Sequence, residues 1–195
     1  MLILASTSII RRQLLQNAGL IFKTIKSNVD EDAIKTAMRL EGASPRAQAD
    51  KLAEVKAVRV SQNQSGLVIG CDQILSFKGV SFDKSETLSE ASERLKLLRG
   101  QTHSLECAVV VARDGIPIWR LVKVAHLTMR PFSDAFLENY LACYGEQALS
   151  SVGCYQYEGA GAQLFERVEG DYFSILGLPL LEVLAFLRLQ GVAET

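Results

Sequence analysis

Apolar and polar residues alternate along the chain with the periods of both helices and strands. Ile10, Leu14 and Leu15 recur at helical spacing behind a Ser/Thr-rich turn, which predicts a helix over residues 9–18. Residues 66–70, Gly-Leu-Val-Ile-Gly, predict a buried strand with Asp72 and Gln73 at its carboxyl end. The same criteria predict strands over residues 2–5, 20–27, 74–77, 80–82, 102–113, 116–124, 126–130 and 163–169, and helices over residues 45–62, 89–98, 133–144 and 178–190.

These elements predict an α/β fold with a mixed sheet. Helices and strands are interspersed, and three successive strands at 102–113, 116–124 and 126–130 form a predicted antiparallel meander. We expect loops at the acidic run 28–32 and at the glycine-rich segment 153–161. No linker, repeat or low-complexity tract divides the 195 residues, so a single domain over residues 1–195 is expected.

Charge and composition exclude several classes of function. Lys and Arg number 21 against 22 Asp and Glu, a balance that argues against a nucleic-acid-binding protein. No run of about 18 apolar residues predicts a membrane helix. The 4 cysteines form no CxxC pair and the first residues lack a basic leader, so we expect a reduced, cytoplasmic protein. With only 2 histidines, carboxylates, Lys and Arg are the main catalytic groups, which favours metal-assisted chemistry on phosphates.

The turn at residues 6–8 is a candidate anion site. It joins the first predicted strand to a helix start, where free backbone N–H groups and the helix dipole attract negative charge. Ser6 adds a hydroxyl group, and Arg11 and Arg12 add guanidinium groups. A capped surface helix with two solvated arginines has the same local pattern.

Two groups of acidic residues are candidates for metal binding or proton transfer. Asp72 follows a very apolar strand, where α/β sheets carry ligands and catalytic groups. A carboxylate there can bind Mg²⁺ or accept a proton from water, although a turn-forming Asp at a strand exit has the same pattern. Asp30, Glu31 and Asp32 offer ligands for a hard cation, but a run of charges is more often a solvated loop. Glu158 precedes Gly-Ala-Gly, where the backbone can approach a ligand closely.

Eight segments of the chain resemble, in order, successive motifs of the Maf family, over residues 2–187. They are residues 4–12 (LASTSIIRR), 29–31 (VDE), 52–57 (LAEVKA), 69–73 (IGCDQ), Lys84, 98–103 (LRGQTH), 157–159 (YEG) and 177–180 (GLPL). The family comprises cytoplasmic nucleoside triphosphate pyrophosphatases. The resemblance implies an elongated α/β fold of the inosine-triphosphatase kind, with a mixed sheet flanked by helices and two lobes around a nucleotide cleft. It also implies hydrolysis between the α and β phosphates, giving a nucleoside monophosphate and pyrophosphate.

The resemblance implies a set of phosphate-binding residues. Ser6 and Arg11 match the serine and arginine of the family's opening motif, and Arg12 is a further candidate cation beside them. Lys56 and Lys84 match its two pocket lysines, although a single lysine is otherwise typical of a solvated surface. Together these groups would neutralise a triphosphate that carries nearly four negative charges, and Arg11, Lys56 and Lys84 are expected to act in catalysis as well.

The resemblance also implies a catalytic acid, a metal site and selector positions. Asp72 matches the family's proton acceptor, and Asp72 and Glu31 are expected to hold Mg²⁺ or Mn²⁺. Asp72 can thus act as the base, as a metal ligand or as both. Ile10, Gln73 and Glu158 stand at the three positions that differ between the family's substrate branches. Gln73 and Glu158 resemble the branch acting on 7-methyl-GTP, which would keep modified nucleotides out of nucleic acids, although Ile10 replaces an aromatic residue of that branch.

Two alternatives to this function stay open from the sequence. One is a dTTP/UTP pyrophosphatase of the same family, and the other is a nucleotide-binding regulator of cell division with little catalysis. The complete set of acids and lysines favours an enzyme. The expected partner is a nucleoside triphosphate, with no nucleic acid and no membrane, and the resemblance allows a homodimer.

Overall fold

A seven-stranded mixed sheet forms the centre of the fold in the computed structural model, which describes residues 1–193. Its strands are β1 (Leu2–Leu4), β2 (Lys23–Thr24), β3 (Leu67–Phe77), β4 (Val80–Phe82), β5 (Thr102–Arg113), β6 (Ile116–Met129) and β7 (Phe165–Glu169). The helices are α1 (Ile9–Asn17), α2 (Glu31–Leu40), α3 (Pro45–Ser61), α4 (Leu88–Leu98), α5 (Asp134–Ala148), α6 (Tyr172–Ile175) and α7 (Leu180–Leu189), with a 3-10 helix at Ala160–Leu164. The predicted α/β class is confirmed.

The sheet is parallel on one side and antiparallel on the other. β1 pairs in parallel with β2 and β3, whereas β3, β5, β6 and β7 are antiparallel neighbours in that order. β3 also turns into β4 in a hairpin, and the strand predicted at 80–82 is confirmed. Its two turn residues, Lys78 and Gly79, have φ angles of 50° and 80°, a backbone conformation typical of two-residue hairpin turns.

Side-chain caps begin several helices where the sequence predicts them. Ser8, Ser44 and Ser133 each accept a hydrogen bond from the backbone N–H three residues further on. Pro45 takes the first helical position of α3, where its missing N–H costs nothing. α4 begins one residue earlier than predicted, because Thr87 is its cap.

The acidic run at residues 30–32 was predicted as a loop, and this prediction is wrong. Asp30 caps α2 by accepting a hydrogen bond from the backbone N–H of Ala33. Glu31 and Asp32 occupy the first turn and Arg39 the last, a distribution of charge that suits the helix dipole. Glu31 is therefore held by a helix rather than by a solvated loop.

Three strand predictions were wrong in extent. β3 is continuous, so Asp72 and Gln73 lie in mid-strand, paired with β5, and not at a strand end. β6 is continuous as well, because Ala125 pairs with Leu105 where a break was expected. The predicted meander of three strands is therefore one antiparallel pair, β5 and β6. The strand expected at 20–27 is reduced to β2, since β1 offers only three residues as a partner.

Two helices also differ from the prediction. α6 was missed because it has only four residues and no apolar period of its own; Asp171 caps it. α5 extends past Tyr144 to Ala148 even though Gly145 is a poor helix former. Gly145 lies against α4, where a Cβ would stand 2.5 Å from the Leu88 side chain, so the small residue permits the helix contact.

α3 approaches β3 closely because Gly70 has no side chain. A Cβ on Gly70 would lie 2.2 Å from the backbone oxygen of Ala53 and 2.6 Å from the backbone nitrogen of Ala57. Small buried residues on α3 complete this contact. As a result, Lys56 of α3 reaches Asp72 on the facing side of the sheet.

Two larger apolar clusters lie along the sheet. One cluster contains Leu95 of α4 and Leu127 of β6, together with residues of α5. The other contains Leu15 of α1 and Val183 of α7. Tyr157 packs against both clusters. No helix within residues 1–193 has the length and apolarity needed to cross a membrane.

His103 is a buried polar residue of β5. Only 2% of its surface is exposed, and its Nε2 lies 2.7 Å from the Tyr155 hydroxyl group. Burial lowers the pKa of His103 to about 4, so the ring is neutral at physiological pH. His103 therefore packs in the core, outside the lining of the cleft described below.

Candidate active site

A cleft of about 890 Å³ brings together nine of the ten site residues expected from the family resemblance. Its volume lies in the range of small-molecule sites, about 300–1,000 Å³. The elements that line it are the start of α1, the first turn of α2, α3, the middle of β3, the segment after β4 and residues 150–158. The nine residues are Ser6, Ile10, Arg11, Glu31, Lys56, Asp72, Gln73, Lys84 and Glu158. The tenth, Arg12, is exposed and lies outside the lining of this cleft.

Lys56 joins the two carboxylates of the cleft that are expected to bind the metal. Its Nζ lies 2.7 Å from Asp72 Oδ1 and 2.8 Å from Glu31 Oε2. Lys56 and Asp72 are only 7% and 6% exposed, so their ion pair is buried, whereas Glu31 is half-buried. Since two carboxylates share one ammonium group, the cluster carries an excess of negative charge when both are ionised.

The second carboxylate oxygen of Asp72 is without a partner. Asp72 Oδ2 is buried and makes no hydrogen bond to any described residue. Burial raises the pKa of Asp72 above its ordinary value, while the positive charges of Lys56 and Arg11 lower it by part of that shift. A buried, unpartnered oxygen is costly for the fold and is available to a ligand or a proton.

Asp72 and Glu31 fit a divalent cation in one respect. Mg²⁺ is usually bound through one or two carboxylates, with water and substrate phosphate oxygens as its other ligands. Asp72 Oδ2 has no partner, and Glu31 is held near Asp72 by the same Lys56 ammonium group. The described residues contain no group of three or more His, Cys, Asp or Glu side chains arranged to hold a metal ion by themselves. The donor set therefore suits a cation that arrives with phosphate.

Arg11 is fixed in the cleft by backbone carbonyl groups. Its Nε donates to the Gly177 oxygen at 2.7 Å, and its Nη1 donates to the Cys71 oxygen at 3.1 Å and to Ser6 Oγ at 3.4 Å. Gly177 has a φ of 94°, a backbone conformation that strongly favours glycine, and a Cβ there would make a tight contact of 3.2 Å with the guanidinium group. These contacts hold one positive charge beside the start of α1.

Gln73 is tied to α6 by its amide group. Its Nε2 donates to the backbone oxygens of Ser174 and Ile175 at 2.9 and 3.0 Å. Because those carbonyls take both amide hydrogens, Oε1 is the atom left for a ligand. Asp171 fixes α6 in turn by accepting hydrogen bonds from the backbone N–H groups of Phe173 and Ser174.

Lys84 lies on the segment between β4 and α4, beside α2. Partial burial, together with the positive charge of Arg11, lowers the pKa of Lys84 below its ordinary value. The preceding residue, Asp83, forms ion pairs with Lys35 at 3.0 Å and with Arg39 at 2.7 Å. α2 and the Lys84 segment are thus joined at the mouth of the cleft.

The cleft also contains residues that the sequence analysis did not single out. Lys35 follows Glu31 by four residues, so recognising α2 would have placed both on one helix face. Phe82 and Tyr157 supply aromatic rings to the lining, and nothing in the local pattern distinguished them from core residues. Glu158 is exposed at the same wall of the cleft.

Comparison with known proteins identifies relatives over nearly the whole chain. A family model described as "Maf-like protein" matches residues 1–190. The chain is 56% identical over 188 residues to a nucleoside triphosphate pyrophosphatase of Caulobacter vibrioides, covering 96% of this chain and 94% of that protein. It is 48% identical to 7-methyl-GTP pyrophosphatases of Brucella abortus, over 96% of this chain and 94% of that protein, and of Rhizobium meliloti, over 100% and 98%.

Proposed function

The chain belongs to the family of Maf-like proteins, and on this premise we propose that its cleft hydrolyses nucleoside triphosphates to a nucleoside monophosphate and pyrophosphate. The proposal rests on one observation: Lys56 forms ion pairs with both Asp72 and Glu31. Arg11 and Lys84 line the same cleft. This combination offers cations for a phosphate chain and a buried carboxylate for proton transfer.

The triphosphate binds to the cationic side of the cleft. Arg11, Lys56 and Lys84 neutralise its charge, and Ser6 and the first N–H groups of α1 donate hydrogen bonds. Arg11 cannot swing away while Gly177 and Cys71 hold it, so its charge is positioned before the substrate arrives. Groups positioned in advance stabilise a transition state without reorganising during the reaction.

Asp72 accepts the proton of the attacking water. Burial raises its pKa, which makes its carboxylate a better base than an exposed aspartate, and Oδ2 is free to receive the proton. The ion pair with Lys56 holds Oδ1 and thereby orients Oδ2. Attack at the α phosphorus breaks the α–β anhydride bond, and the cations stabilise the negative charge on the departing pyrophosphate.

Glu31 would hold Mg²⁺ or Mn²⁺ together with the phosphates, and Asp72 would join it through Oδ2 when that oxygen is not accepting the proton of water. When bound, such a cation lowers the pKa of water and neutralises phosphate charge. Lys56 then keeps both carboxylates in place between turnovers.

We propose 7-methyl-GTP as the preferred substrate. Gln73 offers only Oε1 and Glu158 only carboxylate oxygens, so both selectors accept hydrogen bonds. The Watson–Crick edge of guanine presents neighbouring N–H donors, and a 7-methylated ring adds a positive charge that a carboxylate attracts. The names of the two 7-methyl-GTP pyrophosphatases support this choice.

The free thiols of the cysteines support a cytoplasmic location for the protein, where thiols stay reduced. These cysteines are Cys71, Cys107, Cys143 and Cys154.

The test is pyrophosphate release from 7-methyl-GTP, GTP, UTP and dTTP side by side, with Mg²⁺ or Mn²⁺. We expect the highest kcat/KM for 7-methyl-GTP, and Asp72→Asn is expected to abolish turnover while sparing triphosphate binding. A preference for UTP and dTTP would keep the pyrophosphatase and contradict the base assignment. Full turnover by Asp72→Asn would remove Asp72 from the mechanism, and no release from any nucleotide would contradict the function itself.

A further inference from the structure

Arg94 of α4 touches two walls of the cleft without lining it. Its Nη1 donates to the backbone oxygen of Asp83, next to Lys84, and to the backbone oxygen of Val152 at 2.8 Å. Its guanidinium carbon lies 5.2 Å from the centre of the Phe82 ring, a cation–π contact. One half-buried side chain therefore connects the Lys84 segment to residues 150–158.

We propose that Arg94 is a positioning residue that sets the place of Lys84 in the phosphate-binding site. The proposal rests on the function proposed above. Residues 83–86 belong to neither β4 nor α4, so no helix or strand fixes the Lys84 backbone. Hydrogen bonds from charged donors are stronger than neutral ones, and here one nitrogen holds two carbonyl groups at once.

A second contact ties the same two segments together. The Cys154 thiol donates to Ser85 Oγ at 3.2 Å, and both residues are buried. Lys84 is thus flanked by Asp83, which Arg94 holds, and by Ser85, which Cys154 holds. The Lys84 backbone is consequently linked on both sides to residues 150–158.

The outer side of the Lys84 segment is held more weakly. Asp83 forms ion pairs there with Lys35 and Arg39, but 45% of the Asp83 side chain is exposed. Exposed ion pairs contribute little because water and salt screen them. Arg94 Nε is buried without a hydrogen-bond partner, so the tether acts through Nη1. We therefore expect the inner contact with Arg94 to constrain Lys84 more than the outer ion pairs do.

A double-mutant cycle tests this role. We expect Arg94→Met to lower kcat/KM for the triphosphate by roughly 100-fold, the size of effect that a displacement of about 1 Å can have. In a Lys84→Met background the same change is expected to cost less than about twofold, because its effect passes through Lys84. The proposal would be overturned if the loss of kcat/KM in the double variant equals the product of the losses in the two single variants. An unchanged kcat/KM in Arg94→Met would overturn it as well.

Arg99 at the end of α4 offers a matched control. Its Nη1 donates to the Phe132 backbone oxygen at 3.1 Å and its guanidinium carbon lies 5.6 Å from the Phe132 ring, and Arg99 is outside the lining of the cleft. Arg99→Met is expected to lower Tm as Arg94→Met does and to leave kcat/KM unchanged. An equal loss of activity in both variants would assign the effect to general destabilisation and overturn the proposal.

Two further measurements separate the remaining outcomes. If Arg94→Met does not fold, Arg94→Lys replaces it in the cycle, since lysine keeps the charge but lacks the planar fork; the same dependence on Lys84 is expected, with a smaller loss. If the parental protein releases no pyrophosphate, the proposed function fails. The cycle is then measured by calorimetry with an α,β-methylene nucleoside triphosphate, and equal weakening by Arg94→Met with and without Lys84 would overturn the positioning role.

Discussion

Replacing Lys56 by Met is expected to destabilise the protein mainly by leaving Asp72 as an uncompensated buried charge. The Lys56 and Asp72 side chains are 8% and 9% exposed, and their charged atoms are 2.7 Å apart. Methionine is apolar and similar in length to lysine, so little packing volume is lost. The change therefore isolates the electrostatic part of the interaction.

The expected magnitude follows from the burial of the pair. At 2.7 Å and an effective dielectric constant of about 20, the gross attraction is about 6 kcal/mol. The desolvation of both ions offsets much of this, but removing one partner of a buried pair still costs about 3–5 kcal/mol, because the other charge stays buried. We expect Lys56→Met to lower the free energy of unfolding at pH 7 by about that amount.

Asp72→Asn is expected to behave differently. It removes one of the two carboxylates that share the Lys56 ammonium group, and Glu31 remains at 2.8 Å as a partner. The free energy of unfolding should change by less than about 1 kcal/mol, which lies within the usual range of mild substitutions. Combining Asp72→Asn with Lys56→Met should restore most of the stability that Lys56→Met alone removes.

Urea denaturation of the four proteins, followed by fluorescence of the single tryptophan, Trp119, measures these differences. The parental protein, both single variants and the double variant are compared at the same pH and salt. If the double variant is as unstable as Lys56→Met, the loss does not come from the unpaired Asp72 charge. That result would refute the view that Lys56 compensates a buried carboxylate.

Three further predictions follow from the structure. The pKa of Lys84 is lowered, so kcat/KM should fall on the alkaline side of its pH profile at a pH below 10.5. Lys84→Arg should move this alkaline fall to higher pH, because a guanidinium group keeps its proton. If the fall stays at the same pH, it belongs to another titrating group. The pKa of His103 is about 4 when folded against 6.5 when unfolded, so the unfolded chain binds more protons between these values and stability should fall by about 3 kcal/mol as pH drops from 6.5 to 4. Denaturation curves across this range should lose that slope in His103→Gln and keep it in the exposed His126→Gln. Gly70→Ala should cost about 3 kcal/mol or more and lower activity, because its Cβ would overlap the backbone of Ala53 in α3; an unchanged Tm would contradict the close approach.

Local patterns were sufficient for elements whose signals lie within a few residues. Ser8 and Ser44 begin α1 and α3 as predicted, because a side-chain cap and an apolar period identify a helix without knowledge of the rest of the fold. α2 carried such signals too, with Asp30 as cap and Arg39 in the last turn, but the run of acids was interpreted as a solvated loop. The signals of a helix were present in this segment, but the run of acidic residues was given more weight than the cap.

Long-range pairing decided the points that local patterns missed. A polar residue such as Asp72 ends an apolar run in the sequence, yet the ladder continues through it because strand pairing uses backbone groups alone. The charge is tolerated in mid-strand because Lys56, sixteen positions earlier in the chain, reaches it from α3. No pattern within β3 contains that information.

The sequence by itself determined the α/β class, the positions of α1 and α3, and, through the Maf resemblance, the residues expected at the site. Only the tertiary structure decided how these residues act on one another: that Lys56 joins Asp72 to Glu31, that Arg11 is anchored on Gly177, and that Arg12 lies outside the cleft. The physical reason is that charge pairing, burial and anchoring depend on distances between residues far apart in the chain. Those distances are set by how closely α3 packs on β3 and where α6 meets Gln73.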